Sequence, residues 1–174
     1  FDRAHIQPGQ KVLIHGATGG VGHIGIQLAR WAQTEVFTTG SSLQKLETAH
    51  GLGATGLINY RQEKVADYVQ MHTQGQGFDV VFDTLGGQTL DHSLQAAAVH
   101  GTVVSIATLA SHDLTLAQVK GLSLHVVFML LPMLMNDTQR RRHQGEILEK
   151  MAALVDQGLV RPLVHPQVFS FAEV

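Results

Sequence analysis

Glycines cluster in the segment GATGGVG, residues 16–22, which lies between an apolar run and a segment with helical spacing. If the run is a strand and the next segment a helix, the turn directs backbone amides and the positive end of the helix dipole at one small volume. Glycine permits such a turn and lets a phosphate group approach the backbone. The segment therefore predicts a pyrophosphate site, with a purely structural tight turn as the alternative.

Tyr60 and Lys64 form a second set of residues whose spacing could do chemistry. They have the Tyr-x-x-x-Lys spacing of the catalytic pair of short-chain dehydrogenases. In that family the pair lies on a helix after the fifth strand, whereas Tyr60 directly follows the third predicted strand. We therefore interpret Tyr60 as a cofactor-binding residue or as part of the start of a helix.

The eleven histidines raise the question of a metal site. They are spread along the chain without a His-x-x-x-His pair, and the chain has no cysteine. These features predict no metal site within this sequence. His15 and His100 adjoin the glycine segment and a predicted strand, but nothing assigns either of them a catalytic proton. The sequence identifies no catalytic residue.

Apolar runs of strand length alternate with helical patterns along the whole chain, which predicts a parallel sheet with crossover helices. The predicted strands are 11–15, 35–39, 56–59, 78–83, 102–107 and 123–130. The predicted helices are near 21–32, 42–53, 63–73, 87–98 and 138–157. The expected fold is α/β: a single domain with a Rossmann-type, doubly wound, parallel six-stranded sheet.

Composition limits the possible partners. The chain has 174 residues, 44% of them hydrophobic, and a net charge of -2, so it has no net positive charge for binding nucleic acid or an anionic membrane.

The longest apolar run, residues 122–135, contains Pro132 and is shorter than the roughly 20 residues of a spanning helix. We interpret it as buried strand and loop. The absence of cysteine fits a cytoplasmic protein.

Four segments of the chain match a known family with consistent spacing: PGQKVLIHGATGGVG, GATGLINYRQE, FDVVFDTLGG and HGTVVSIAT. They resemble the zinc-independent, quinone oxidoreductase-like branch of the medium-chain dehydrogenase/reductase superfamily. The glycine segment alone leaves the family open, because it fits both the G-x-x-G-x-x-G pattern of short-chain dehydrogenases and the A-x-G-G-V-G pattern of this branch. The resemblance implies a Rossmann domain over residues 1–159. It also implies that 160–174 is a tail returning to a GroES-like catalytic domain absent from this chain.

The segment after the second predicted strand indicates which nicotinamide cofactor is bound. No carboxylate lies between Glu35 and Glu47, so a ribose 2′-phosphate would meet no repulsion. Ser41 and Ser42 can donate hydrogen bonds, and Lys45 can add a positive charge. In the resembling reductases, a lysine at this place and the tyrosine equivalent to Tyr60 hold that phosphate. We therefore expect NADP(H) as the cofactor.

Residues after the other predicted strands complete the expected cofactor site. The glycine segment contributes Ala17, Thr18, Gly19, Gly20 and Val21. The resemblance implies that two later segments border the ribose and nicotinamide; they contribute Thr84, Leu85, Ile106, Ala107 and Thr108. Asp83 could contact the ribose or form a turn, and we favour the turn.

The resemblance implies hydride transfer from C4 of NADPH to a quinone or to the β-carbon of an enone. Most of the substrate pocket would lie on the absent domain, so this chain is expected to bind cofactor without turnover. A homodimer through the edge strand 123–130 is also expected, with Val127 supplying a backbone donor at the edge. A zinc-dependent alcohol dehydrogenase or a non-catalytic NADPH-binding relative, crystallin-like or nucleic-acid-binding, remains the alternative. We expect no membrane partner, and nucleic acid is not favoured.

Overall fold

The structure, a computed structural model, describes residues 2–164 and 167–173. A parallel six-stranded sheet has the strand order β3-β2-β1-β4-β5-β6. Its strands are β1 Lys11–His15, β2 Glu35–Gly40, β3 Gly56–Asn59, β4 Phe78–Asp83, β5 Ala97–Ser105 and β6 Ser123–Val126. This is the order of a doubly wound dinucleotide-binding fold, as the alternation of apolar runs and helical patterns predicts.

Helices connect the strands and cover both faces of the sheet. They are α1 Gly22–Trp31, α2 Leu43–Leu52, α3 Val65–Thr73, α4 Gln88–Ala96, α5 Thr115–Val119, α6 Leu131–Leu134 and α7 Thr138–Asp156, with a 3-10 turn at Phe171–Glu173. The bounds of α2 have local causes. The Ser42 side chain accepts a hydrogen bond from the Lys45 amide at its start, and Gly53 ends it with a φ of 113°.

The core lies on both faces of the central strands. Leu13, Phe37 and Val81 belong to a buried cluster on one face, and Ile14 and Val80 belong to the cluster on the other face. Because successive residues of a strand point to opposite faces, β4 is buried on both sides, as its nearly uninterrupted apolar sequence predicts. The rigid centre of the sheet fixes the carboxyl ends of its strands.

Three expectations about elements were wrong. β5 spans Ala97–Ser105 instead of 102–107. It begins earlier because Ala97 pairs with Phe78 across an irregularity in the β4–β5 register, and it ends earlier, at the residue that pairs with the last residue of β4. β6 ends at Val126 instead of 130, and residues 131–134 form a short helix with Pro132 in its first turn. Proline is well suited to that position because its φ matches a helix start. Helices α5 and α6 had no counterpart in the sequence-based prediction.

The apolar run 122–135 is largely exposed, contrary to the expectation of a buried segment. Its exposed side chains are Val126, Phe128, Met129, Leu130, Leu131, Met133, Leu134 and Met135. No element of the described part of the chain covers them, and hydrophobicity alone could not reveal that. None of the helices in the described ranges has the length and apolar character needed to cross a membrane.

The segment after α7 returns to the first helix. Val160 is buried, and the Gln27 side chain exchanges two hydrogen bonds of 2.9 Å with the backbone N–H and C=O of Arg161. Beyond this point Val164, Val168 and Phe171 are exposed. Residues 165, 166 and 174 of the expected tail lie outside the described residues.

Candidate cofactor-binding site

The residues expected to bind cofactor all follow the carboxyl ends of parallel strands. The glycine turn follows β1, Ser41 and Lys45 follow β2, Tyr60 follows β3, Thr84 and Leu85 follow β4, and 106–108 follow β5. The parallel register therefore brings them to one edge of the sheet. The strand order reverses its direction between β1 and β4, and this is where an open α/β sheet forms its ligand crevice.

The glycine turn has a structural half and an open half. Gly16 has a φ of 83°, and a Cβ on Gly22 would lie 2.0 Å from the Gly16 carbonyl oxygen, so these two glycines are required by the fold. A Cβ on Gly19 would make only an ordinary contact at 3.4 Å, and a Cβ on Gly20 would have no neighbour within 4 Å. The backbone is thus approachable at Gly19 and Gly20.

The start of α1 suits an anion. Its N-cap residue, Val21, makes no side-chain capping hydrogen bond, and the first turn carries no acidic residue. The first N–H groups of a helix have no acceptor within the helix, and they carry the positive end of its dipole. Val21 is itself exposed. The turn therefore has the donors and the open approach that a pyrophosphate requires.

Ala17 and Thr18 occupy different positions in this turn. Ala17 is buried, and its amide donates to the Thr39 carbonyl at 3.0 Å, so it builds the turn from within. Thr18 has a partly exposed side chain. Thr39 also places its hydroxyl 3.1 Å from Nδ1 of the buried His15. Thr39, which the sequence did not single out, therefore fixes the start of the turn.

The ends of β2 and β3 place candidate phosphate ligands side by side. The Tyr60 amide donates to the Gly40 carbonyl at 3.3 Å, which sets the Tyr60 turn beside Ser41. Tyr60 and Lys45 have exposed side chains, and Ser41 is half-buried. The ion pairs formed within the described ranges do not involve Lys45.

Arg61 adds a second cation to this turn. Its side chain is exposed, and its amide donates to the Asn59 side chain at 3.1 Å. The sequence-based prediction did not include Arg61, although its position directly after Tyr60 could have indicated a second phosphate-binding residue. Lys64, by contrast, is the N-cap of α3, so Tyr60 and Lys64 do not share a helix. The structure thus supports the rejection of the short-chain dehydrogenase pair.

The segments after β4 and β5 are set by the buried Asp83. Its Oδ1 accepts hydrogen bonds from the amides of Leu85 at 3.0 Å and Gly86 at 2.9 Å, so the preference for a turn-forming aspartate is confirmed. The Thr84 hydroxyl donates to the His15 carbonyl at 2.7 Å. These bonds place residue 84 against the end of β1.

The predicted nicotinamide-bordering residues are accessible at this edge. Leu85 and Ile106 are exposed, while Thr84, Ala107 and Thr108 are half-buried. They lie on adjacent strands, because Asp83 pairs with Ser105 in the β4–β5 register. The two segments could therefore border one ligand together.

His15 has an environment that disfavours its charged form. Burial lowers the pKa of His15 from 6.5 to about 4, with Asp83 acting in the opposite direction. It is therefore a neutral histidine at physiological pH, and it directly precedes the glycine turn as the last residue of β1. In the described part of the chain, His, Cys, Asp and Glu side chains form no group of three or more that could hold a metal ion.

Comparison with known proteins places this geometry in a family. Residues 20–139 match the family described as Zinc-binding dehydrogenase. An alcohol dehydrogenase superfamily protein from Novosphingobium aromaticivorans has a similar structure, with a TM-score of 0.92 and 42% identity over 99% of this chain and 51% of that chain.

Two reductases have similar structures as well. The CurK enoyl reductase gives a TM-score of 0.82 and 31% identity over 99% of this chain and 51% of that chain. The Escherichia coli quinone oxidoreductase, in a complex with NADPH, gives a TM-score of 0.80 and 26% identity over 92% of this chain and 49% of that chain. This chain spans about half the length of each of the three proteins. It belongs to the zinc-binding dehydrogenase family and has the cofactor-binding fold of the medium-chain dehydrogenase/reductase superfamily, as its quinone and enoyl reductase relatives do.

Proposed function

We propose that this chain binds NADP(H) for a reductase that transfers hydride to a quinone or an α,β-unsaturated carbonyl compound. The observation that carries the proposal is the open half of the glycine turn at the start of α1. It shares one edge of the sheet with the exposed Lys45 and Tyr60. The NADPH complex of the Escherichia coli quinone oxidoreductase supports the choice of cofactor.

Different parts of the edge would hold different parts of the cofactor. The Gly20 amide and the dipole of α1 would hold the pyrophosphate, since the Gly19 amide already donates to the Gly16 carbonyl at 3.0 Å within the turn. Lys45 and Tyr60, joined by Arg61, would bind the 2′-phosphate through charge-assisted hydrogen bonds. The segments after β4 and β5 would border the nicotinamide ribose. When bound, NADPH supplies the hydride, and this chain binds and orients it.

The substrate class follows from what the related reductases have in common. A quinone and an enoyl compound both contain a carbon–carbon double bond conjugated to a carbonyl group, and both develop negative charge on oxygen when hydride adds. The groups that stabilise this oxygen are expected mainly on a GroES-like domain outside this chain. We therefore include enoyl thioesters with quinones and enones as candidate substrates.

Zinc-independence is part of the proposal. The metal ligands of a zinc-dependent alcohol dehydrogenase would lie outside this chain, so the family description leaves both branches open. Lys45 after β2 and Arg61 after β3 favour the NADP(H)-dependent reductases, because both can bind a 2′-phosphate. Metal analysis of the full-length protein tests this point, because one tightly bound zinc ion per chain would contradict it.

We also propose a homodimer through the edge strand β6. β6 is the last strand of the sheet, and Val126, Phe128 and Met129 near it are exposed. An uncovered apolar edge strand favours pairing with a second chain. A two-fold axis would join two copies into one continuous sheet and would cover these side chains.

Calorimetric titration of this chain with NADPH tests the central proposal. Saturable binding at one site per chain is expected, and no detectable binding to the folded chain would contradict it. The full-length protein should then oxidise NADPH when given 1,4-benzoquinone or crotonyl-CoA. Binding without turnover of either acceptor would favour a non-catalytic NADPH-binding relative.

A further inference from the structure

A buried hydrogen-bonded pair joins the two segments that border the proposed nicotinamide position. The Ser105 hydroxyl donates to Oδ2 of Asp83 at 2.7 Å, and both residues are fully buried. They lie opposite each other in the β4–β5 register, at the last position of each strand. A hydrogen bond to a buried carboxylate contributes more stability than one between neutral groups.

The pair extends into both following segments. Oδ1 of Asp83 accepts from the amides of Leu85 and Gly86, so the carboxylate fixes the segment after β4. The Ser105 hydroxyl oxygen accepts from the Ala107 amide at 3.3 Å, which fixes the segment after β5. One continuous set of hydrogen bonds therefore runs from residue 85 to residue 107.

The two segments also touch through their backbones. Gly86 has a φ of 72°, and a Cβ built on it would lie 1.8 Å from the Ala107 carbonyl oxygen. No larger residue fits between the segments at this place. A change in the position of one segment must therefore displace the other.

We propose that Asp83 and Ser105 are positioning residues that set the spacing of the nicotinamide-bordering segments 84–87 and 106–108. This inference rests on the proposed function. Because both side chains are fully buried, they act through the segments without touching the cofactor. Misplacement of reacting groups by roughly 1 Å can cost about 100-fold in rate, so such spacing matters for hydride transfer.

The test compares ligands that probe the two halves of the cofactor. In the folded chain, Ser105→Ala should weaken NADPH binding about tenfold and change the binding of adenosine 2′,5′-bisphosphate less than about twofold. Ser105→Thr keeps the hydroxyl, so this variant should bind NADPH more tightly than Ser105→Ala. Ser93 provides a matched control, because it is fully buried and its hydroxyl donates to the Thr89 carbonyl, away from this edge. Ser93→Ala should leave both affinities unchanged.

Asp83→Asn is the second variant and guards against misfolding of the first. It preserves the size of the side chain but places a donor where Oδ2 accepts from Ser105, so it should give the same selective loss. Wild-type chain that binds neither ligand would contradict the proposed function itself. Wild-type binding of both ligands, with equal losses or no loss in folded Ser105→Ala or Asp83→Asn, would overturn the positioning role.

Discussion

The amide of Tyr60 donates a hydrogen bond to the carbonyl of Gly40 at 3.3 Å, so the turn after β3 lies against the end of β2. This bond brings the Tyr60–Arg61 turn beside the segment that carries Ser41 and Lys45. Side chains that are 15 or more positions apart in the sequence can therefore act on one phosphate group. Cofactor choice depends on this juxtaposition.

Lys45→Ala should reduce the preference for NADPH over NADH. We expect the wild-type chain to bind NADPH at least about tenfold more tightly than NADH, a difference of about 1.4 kcal/mol, because the 2′-phosphate gains a charge-assisted contact. The substitution should remove most of that difference and leave the NADH affinity unchanged. Titration calorimetry measures both. Lys64→Ala is the control, since Lys64 is also an exposed lysine but caps α3. Equal affinities for the two cofactors in the wild-type chain would contradict the NADP(H) assignment.

Two glycine substitutions should separate binding from folding. Gly20→Val places a branched side chain in open space, so the fold should persist while dinucleotide binding falls more than about tenfold, because the pyrophosphate loses its approach to the backbone. Gly22→Ala places a Cβ 2.0 Å from the Gly16 carbonyl oxygen, so it should lower the thermal unfolding midpoint. Thermal unfolding and NADPH titration of each variant test this contrast. Undiminished binding by folded Gly20→Val would leave the turn with a structural role only.

The sheet and the glycine turn were predictable because their signals are local. Strands β1, β3 and β4 have the predicted bounds, since each is an apolar run flanked by turn-forming residues. The exposure of residues 126–135 was not predictable, because it depends on which other elements cover the run. Val127 illustrates the same limit. The sequence suggested it as an edge donor, but its amide donates to the Ser105 carbonyl at 2.9 Å within the sheet.

Val126→Pro should disrupt the proposed homodimer. Neighbouring residues of a strand direct their backbone groups to opposite sides, so the Val127 bond to β5 implies that the Val126 amide faces the free edge. Proline removes that donor and leaves the β5 bond of Val127 intact. Light scattering at micromolar concentration should show a dimer for the wild type and a monomer for the variant. Val119→Ala is the control, because Val119 is an exposed valine at the end of α5 and lies outside β6. A monomeric wild-type chain would contradict the proposal.

Protonation of His15 should destabilise the fold in mild acid. Its pKa is about 4 in the folded chain, against 6.5 without burial, because the buried imidazole loses its hydration when charged. The unfolded chain therefore binds the proton first as the pH falls. Stability is fully present above pH 6.5 and declines towards pH 4, by roughly 3 kcal/mol from this residue. Urea unfolding measures the free energy of unfolding at pH 7 and at pH 4.5. The difference between these two free energies should be smaller for His15→Gln than for the wild type. An identical pH dependence in the variant would show that His15 does not contribute.

The backbone after Arg161 should be less protected than the segment before it. Val160 is buried and the Arg161 amide donates to the Gln27 side chain, whereas Leu163 and Val164 are exposed. Amides that lack buried acceptors exchange through small local openings, while those of central strands require larger ones. In hydrogen exchange followed by NMR, the amides of 163 and 164 should exchange faster than that of Arg161 and much faster than those of Val81 and Val103.

Gln27→Ala should extend the fast-exchanging region towards α7. The Gln27 side chain supplies both hydrogen bonds that attach Arg161 to α1, so its removal should release the Arg161 amide and leave the central strands protected. Gln44→Ala on α2 is the control, because it changes an exposed glutamine of the neighbouring helix. Protection of 163 and 164 equal to that of Val81 in a monomeric chain would show that the tail is integral to this domain. The boundary expected at residue 160 would then have been placed too early.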